Sequence, residues 1–339
     1  LKKVKVEDAV GMVLAHDLTR IVPGEFKGVA FKKGHVIREE DIEKLKDMGK
    51  NNIYILDIKE NELHEDDAAF KIAEHVSGEG LYFEGPSEGK VSLKAEYDGI
   101  LKVNVEGLEE VNSIDLLILS TLHNNSLVRK GQVVAGTRII PLIIDKEKIN
   151  KIKYISEKLN KIIRVKKFKP LKIGAVVTGS EVYEGRIKDQ FGPVFTQKIK
   201  DYGGILLEIR YAPDNQEKIE EEINYLIESG ADVVLTSGGM SVDPDDVTPS
   251  AIRNVSNNVI TYGSPVLPGA MFMLAYKDNV AIMGIPACGM YHKATILDLT
   301  LPRILSGEIL TRRDIAKLGH GGLCLNCEVC NYPVCPFGK

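Results

Sequence analysis

The run Asp232-Val233-Val234-Leu235-Thr236-Ser237-Gly238-Gly239-Met240-Ser241, continuing to Thr248-Pro249, narrows the architecture of this chain more sharply than any other stretch. Val233 to Thr236 is short, apolar and β-branched, which predicts a strand buried on both faces of a parallel sheet. Ser237, Gly238 and Gly239 then break into a loop. Thr248-Pro249 is expected to restart a helix, with Thr as N-cap and Pro at the first helical position. A strand that empties into a glycine loop ahead of a helix leaves backbone N–H groups free to approach an anion. The same loop gathers Asp243, Asp245 and Asp246. Phosphate alone does not call for three carboxylates, whereas Mg²⁺ held between carboxylate and phosphate oxygens does. A solvated acidic turn is the other reading of that charge run.

Around this segment, residues 171 to about 310 alternate strand and helix, the pattern of a parallel sheet covered on both faces. Strands are expected at Ile173–Thr178, Ile205–Tyr211, Met271–Ala275 and Val280–Met283. Helices are expected from Pro193, from Asp214 to Glu228, and from about Gly289 to Leu299, with Pro302 disrupting the last. In such a sheet the loops after the strand C-termini share one edge. Three loops qualify: Thr178-Gly179-Ser180-Glu181 running on to Asp189, the glycine loop with Asp246, and Gly284-Ile285-Pro286-Ala287-Cys288-Gly289. Asp214 follows the second strand and is either part of that edge or the N-cap of the box Asp214-Asn215-Gln216-Glu217. Cys288 has no histidine placed to activate it, so it reads as small buried filler.

The first 168 residues carry no catalytic signature by residue type. Residues 1–60 predict a small mixed unit, with turns at Pro23-Gly24 and Lys33-Gly34, a helix from Arg38 to Met48 stopped by Gly49, and a strand from Asn52 to Leu56. Residues 61–168 predict a β-rich region with helical inserts. A helix covers His64–Val76, with His64 and His75 as surface residues. Lys90–Ala95 and Ile100–Val105 form a hairpin about Asp98-Gly99, and Lys130–Thr137 pairs with Ile139–Ile144. A helix from Asp145 to Asn160 leads to the domain at 169–310, and residues 311–339 form a cysteine-rich tail.

Forty-four Lys and Arg against 48 Asp and Glu give a net charge of −4, which is no footprint for nucleic acid. No apolar run approaches the ~18 residues of a membrane span, and the start Leu1-Lys2-Lys3-Val4 has no signal-peptide core. A cytoplasmic protein with no membrane partner is the expectation. Cys324, Cys327, Cys330 and Cys335 crowd into the tail, which argues for metal over disulfides. Their x2, x2, x4 spacing approaches the ferredoxin pattern, leaving an iron–sulfur cluster, Zn²⁺, or free or redox thiols as alternatives. With few apolar residues, the tail is expected to order only around its metal or against a partner.

Thr178-Gly179-Ser180-Glu181, Asp189, Asp214, Thr236 to Ser241, Asp246-Val247-Thr248-Pro249, Pro268-Gly269 and Gly284-Ile285-Pro286, in this order, resemble the molybdopterin-binding domain of molybdenum-cofactor synthesis enzymes. The resemblance implies a three-layer α/β/α domain with a mostly parallel sheet, behind a β-rich N-terminal region and ahead of the short tail. It implies Glu181, Asp214 and Asp246 as catalytic acids. It also implies a cofactor-binding set of Thr178, Gly179, Ser180, Asp189, Ser237, Gly238, Gly239, Met240, Ser241, Thr248, Gly284 and Pro286. Ala9-Val10-Gly11-Met12-Val13-Leu14-Ala15-His16-Asp17 is similar to the opening of the family's insertase branch. That branch inserts molybdate into adenylylated molybdopterin with Mg²⁺, releasing AMP. Gln190-Phe191 replaces a pair usual in that branch, the loop Gly284-Ile285-Pro286-Ala287-Cys288-Gly289 loses its Asn-Pro, and its Asp-Gly-Tyr-Ala signature is missing from the first sixty residues. The resemblance thus leaves three functions open: an insertase, a molybdenum-cofactor carrier or sensor that docks on a molybdoenzyme, and a nucleotide pyrophosphatase. The implied partners are the pterin, molybdate, a molybdoenzyme or other cofactor-synthesis proteins, and a second copy of the chain.

Overall fold

A computed structural model describes residues 2–22, 26–56 and 58–339. The chain divides into two units: 1–97 with 101–124 and 129–165, and 98–100 with 125–128 and 166–339. The Pro23-Gly24 turn lies outside the described residues.

The first unit begins with an antiparallel pair, Lys2–Lys5 against Asn52–Ile55, and a helix, Asp41–Asp47, that ends at Met48 and Gly49. Val4, Val6, Leu14, Ile37, Leu45 and Ile53 close a small core. A four-stranded antiparallel sheet follows, in the order Leu81–Ser87, Lys90–Ala95, Val133–Ile139, Leu117–Thr121. Helix Lys146–Lys158 forms where the isoleucine spacing predicts it.

Three local expectations fail in this region, each for a tertiary reason. Lys90–Ala95 does not pair with the strand beyond Asp98-Gly99. Its edges are taken by Leu81–Ser87 and Val133–Ile139, while Gly99 and Ile100 pair with Val128 and Leu127 in the second unit. Ile143–Asp145 pairs with Glu62–His64 rather than with its neighbour in sequence. Val105 opens a helix, Val105–Asn112, capped by the Asn104 side chain, instead of ending a strand.

His64 is buried rather than on the surface. Its Nε2–H donates to Ala15 O at 2.6 Å, which leaves Nδ1 to accept from Lys33 Nζ at 2.7 Å and from Asp66 N–H at 3.3 Å. It sits at the N-cap of helix Glu65–Val76 and takes the place of the usual Ser or Asp.

The second unit is built on one six-stranded sheet. Its strands are β1 (Lys172–Thr178), β2 (Ile205–Ala212), β3 (Val233–Ser237), β4 (Asn258–Tyr262), β5 (Met273–Lys277) and β6 (Val280–Ile285). They lie in the order β2-β1-β3-β6-β5-β4; the first four are parallel, and β5 pairs antiparallel with both β6 and β4, so it alone runs in the opposite direction. Alternate residues of the central strands serve opposite faces. Ile173, Ala175, Val177, Val233 and Leu235 pack on one core with α1 (Phe191–Asp201) and the later helix α4 (Ile296–Leu305). Val176, Val234 and Ile282 pack on the other with α2 (Gln216–Glu228) and α3 (Thr248–Val255). This is the α/β/α layering and mostly parallel sheet expected.

Helix α4 starts at Ile296, later than predicted, behind a Thr295–Asp298 capping box, and it runs through Pro302. Pro302 has no N–H to offer the carbonyl four residues back, at Asp298. That carbonyl instead accepts the Tyr332 hydroxyl at 3.0 Å. Tyr332 belongs to the tail, so one tail residue repairs the helix that the proline would break. The tail packs on this core: Phe337 is buried in it, and Cys324, Cys330 and Cys335 lie against it.

Candidate functional site: three strand ends and one cavity

Parallel pairing sets Val177 beside Ser237 and Ser237 beside Ile285, so the three candidate loops leave the sheet at one edge. Thr178, buried at the end of β1, donates through Oγ1 to Ser237 O at 3.0 Å. Its hydroxyl proton is thereby used, so at 3.1 Å it accepts from Thr248 Oγ1. Thr248 is the first residue of α3, with Val247 at the N-cap and Pro249 second. The expected Thr cap is displaced by one residue because its hydroxyl is turned into the core to meet Thr178.

The glycine loop is held open by close contacts. Gly238 has φ +90°, and a Cβ there would stand 2.2 Å from Thr178 O. Gly239 has φ +52°, with its hypothetical Cβ 3.0 Å from Thr248 Oγ1 and 3.6 Å from Asp246 Oδ1. Asp246 Oδ2 accepts the Ser241 N–H at 2.8 Å and closes the loop on itself. Among the described residues, the N–H groups of Gly238, Gly239 and Met240 donate to nothing. The hydroxyl of Ser237 is buried and unpartnered. A buried hydroxyl is costly to leave unmet, and unspent backbone donors in a glycine loop are able to meet the oxygens of an anion.

Tyr262, at the end of β4, donates to Met240 O at 2.9 Å or Ser241 O at 3.0 Å and pins the loop. Burial, with Asp246 nearby, pushes its phenol up, so the group stays a donor at neutral pH. The sequence reading missed both β4 and Tyr262. The run Val259-Ile260-Thr261-Tyr262, β-branched and aromatic, is the signal that could have found them.

A cavity of about 500 Å³ opens beside the loop. Gly238, Gly239, Met240, Ser241 and Asp246 line one side. Leu267 to Met271 and Pro286, Ala287 and Cys288 line the rest. The second and third loops therefore meet, together with the Pro268-Gly269 turn. Gly284 faces Met240: a Cβ there would stand 2.4 Å from Met240 Cε, so only glycine lets the loop residue lie against β6. Cys288 borders the cavity instead of filling the core, and burial raises its thiol, which suits a wall better than a nucleophile.

The first loop is organised differently. Ser180 N–H donates to Asp214 Oδ2 at 2.8 Å, and Asp214 N–H donates to Ser180 Oγ at 3.1 Å. This reciprocal pair ties the β1 loop to the β2 loop. It also explains why Asn215, not Asp214, caps α2: Asn215 Oδ1 accepts the Lys218 N–H at 3.0 Å. Glu181 is exposed beside Gly179. Asp189 accepts from the N–H groups of Phe191 and Gly192 and from the Tyr211 hydroxyl, which stabilises the start of α1. Glu181, Asp189 and Asp214 are not among the residues lining the cavity.

The tail cysteines line a second cavity of about 260 Å³. All four are free thiols. Among the described residues no three His, Cys, Asp or Glu side chains are arranged to hold a single metal ion. No helix of the described residues is long and apolar enough to cross a membrane.

Comparison with known proteins bears on the sheet and its loops. Residues 174–306 match a family model described as a probable molybdopterin binding domain, and residues 3–57 match one described as a domain of unknown function. A CinA-like protein of Mycobacterium leprae (strain TN) is 33% identical over 84 residues, covering 25% of this chain and 20% of that protein. A CinA-like protein of Mycobacterium avium (strain 104) is 37% identical over 75 residues, covering 22% and 17%. The chain thus spans a fifth or less of the length of these curated relatives. Among solved structures, the molybdopterin biosynthesis enzyme MoaB of Thermus thermophilus aligns over 41% of this chain and 98% of its own, at 16% identity and a TM-score of 0.34.

Proposed function

We propose, from the match of residues 174–306 to a probable molybdopterin binding domain, that this chain binds the pterin in the 500 Å³ cavity and inserts molybdate into its adenylylated form, releasing AMP. The observation that carries this reading is the open N–H set of Gly238, Gly239 and Met240 at a cavity that also contains Asp246. Unspent backbone donors suit a phosphate, and they act without reorganisation because the Gly238 and Tyr262 contacts hold them in place. The cavity lining includes no Lys or Arg, so Asp246 is the residue to hold a Mg²⁺ that would offset the phosphate charge. When bound, that ion would supply Lewis-acid stabilisation at the phosphate.

Ser180 and Asp214 brace the neighbouring loop, and in this reading Glu181, exposed at that loop, meets the nucleotide end of the substrate. The test is AMP release from adenylylated molybdopterin with molybdate and Mg²⁺, using the full chain. Turnover supports the insertase. Hydrolysis of nucleotides without pterin would mean a pyrophosphatase.

One observation favours a second reading, that of a molybdenum-cofactor carrier. Of Glu181, Asp214 and Asp246, only Asp246 lines the cavity, leaving one acid where the insertase reading calls for three. Tight pterin binding without AMP release is the outcome that reading expects.

A further inference from the structure

We propose that Cys324, Cys327, Cys330 and Cys335 hold a four-iron iron–sulfur cluster, and not a zinc ion, in the tail cavity. This goes beyond the pterin reading and does not depend on it. The first observation is size. A tetrahedral zinc with Zn–S bonds near 2.3 Å draws its sulfurs to about 3.8 Å from one another and leaves no space between them. Here the four thiols border a cavity of about 260 Å³. A single water needs only about 10–15 Å³ in that measure, so the space suits a guest of several atoms. All four thiols border this one cavity, together with Asn326, Asn331 and Phe337.

The second observation is that contacts of the chain itself hold the frame around the cysteines. Cys324 N–H donates to Leu267 O, and Leu267 N–H donates to Gly322 O, both at 2.8 Å. Tyr332 is fixed to Asp298 O, and Phe337 is buried. The loop between these anchors carries Cys327 and Cys330, so Cys324, Cys327 and Cys330 follow the x2, x2 spacing of ferredoxin cluster ligands.

The third is chemistry. Asn326 N–H already points at Cys324 Sγ, at 3.5 Å, the kind of contact that stabilises a cluster thiolate. Each thiol gives up its proton on binding iron; Lys293 borders the cavity and would offset part of that negative charge, to which Glu328, also at the cavity, adds.

The location adds a consequence. Ala287 and Cys288 line the pterin cavity, and a 3₁₀ turn later Tyr291 to Ala294 line the cysteine cavity. Leu267, hydrogen-bonded to the tail on both sides, lines the pterin cavity as well. The cluster would share two walls with the pterin site.

The experiment is anaerobic purification of the full chain and reconstitution with equal ferrous and ferric iron and with sulfide, with no pterin added. The expected result is about four irons and about four sulfides per chain, with a broad absorption band near ~400 nm. Cys327→Ser changes an exposed residue, so it should lose the cluster while its thermal unfolding matches that of the metal-free wild type. Cys288→Ser should load as wild type. One tightly held zinc without sulfide, disulfides in place of iron, or full loading of Cys327→Ser would each overturn the proposal. None of these readouts depends on pterin binding, so failure here leaves the pterin reading standing, and the reverse also holds.

Discussion

Substituting Gly238 by Ala tests whether the backbone conformation of the glycine loop sets pterin affinity. At φ +90° an L side chain is strained, by about 1–2 kcal/mol. The new Cβ would also stand 2.2 Å from Thr178 O and 2.5 Å from Thr178 Oγ1. The first is a backbone atom of a central strand, so the loop must yield instead of the sheet. A total strain of about 1–3 kcal/mol is the usual scale for such sites. If the loop relieves it by turning its N–H groups away from the phosphate, affinity falls by about 5- to 150-fold.

Gly230→Ala is the control, because it has the same dihedral, φ +89°, with nothing within 4 Å and a position outside the loop. It should lose about 1 kcal/mol of stability and bind normally. Calorimetric titration with adenylylated molybdopterin in Mg²⁺ reads affinity, and thermal unfolding reads stability. A Gly238→Ala protein that binds within about twofold of wild type, while losing stability, would refute the argument that this loop geometry holds the anion.

Asp246→Asn keeps the contact to Ser241 N–H but removes the charge, so AMP release should fall at least about tenfold, or about 1.4 kcal/mol, with a raised Mg²⁺ requirement in the same assay. Tyr332→Phe should leave Asp298 O unpaired at a cost of about 1–3 kcal/mol, read as faster amide exchange in α4. The cost should shrink in a Pro302→Ala background, where residue 302 regains an N–H; simple additivity would contradict the repair. Burial lowers the pKa of His16, His64 and His75 below the ordinary 6.5. The unfolded chain therefore binds more protons once pH drops through about 6.5, and the stability these groups contribute is lost progressively below it. His64→Gln should flatten that part of the pH–stability curve measured by denaturant titration.

The division between what residues announce and what folding decides runs through particular elements. Val233 to Gly239, the helix spacing of Ile219, Ile223 and Leu226, and the turns at Gly203 and Gly230 carried their conformations locally, because periodicity and positive φ are properties of short segments. The convergence of the glycine loop with Gly284 and Pro286 followed from the parallel alternation alone, since strand ends in such a sheet share an edge.

Other choices needed distant partners. Asp214 or Asn215 could each cap α2, and the Ser180 pair settled it from 34 residues away. Pro302 reads as a helix stop until Tyr332 supplies the missing donor. Lys90–Ala95 pairs with whichever strands bury its apolar face, and a favourable Asp-Gly turn does not outweigh that burial. The four tail cysteines were plain as a spacing, but only the packing of Phe337 and Cys324 drew them around one cavity. Short-range steric rules are written into the chain itself, whereas which polar group meets which across the fold is decided only when burial makes an unpaired one too costly to keep.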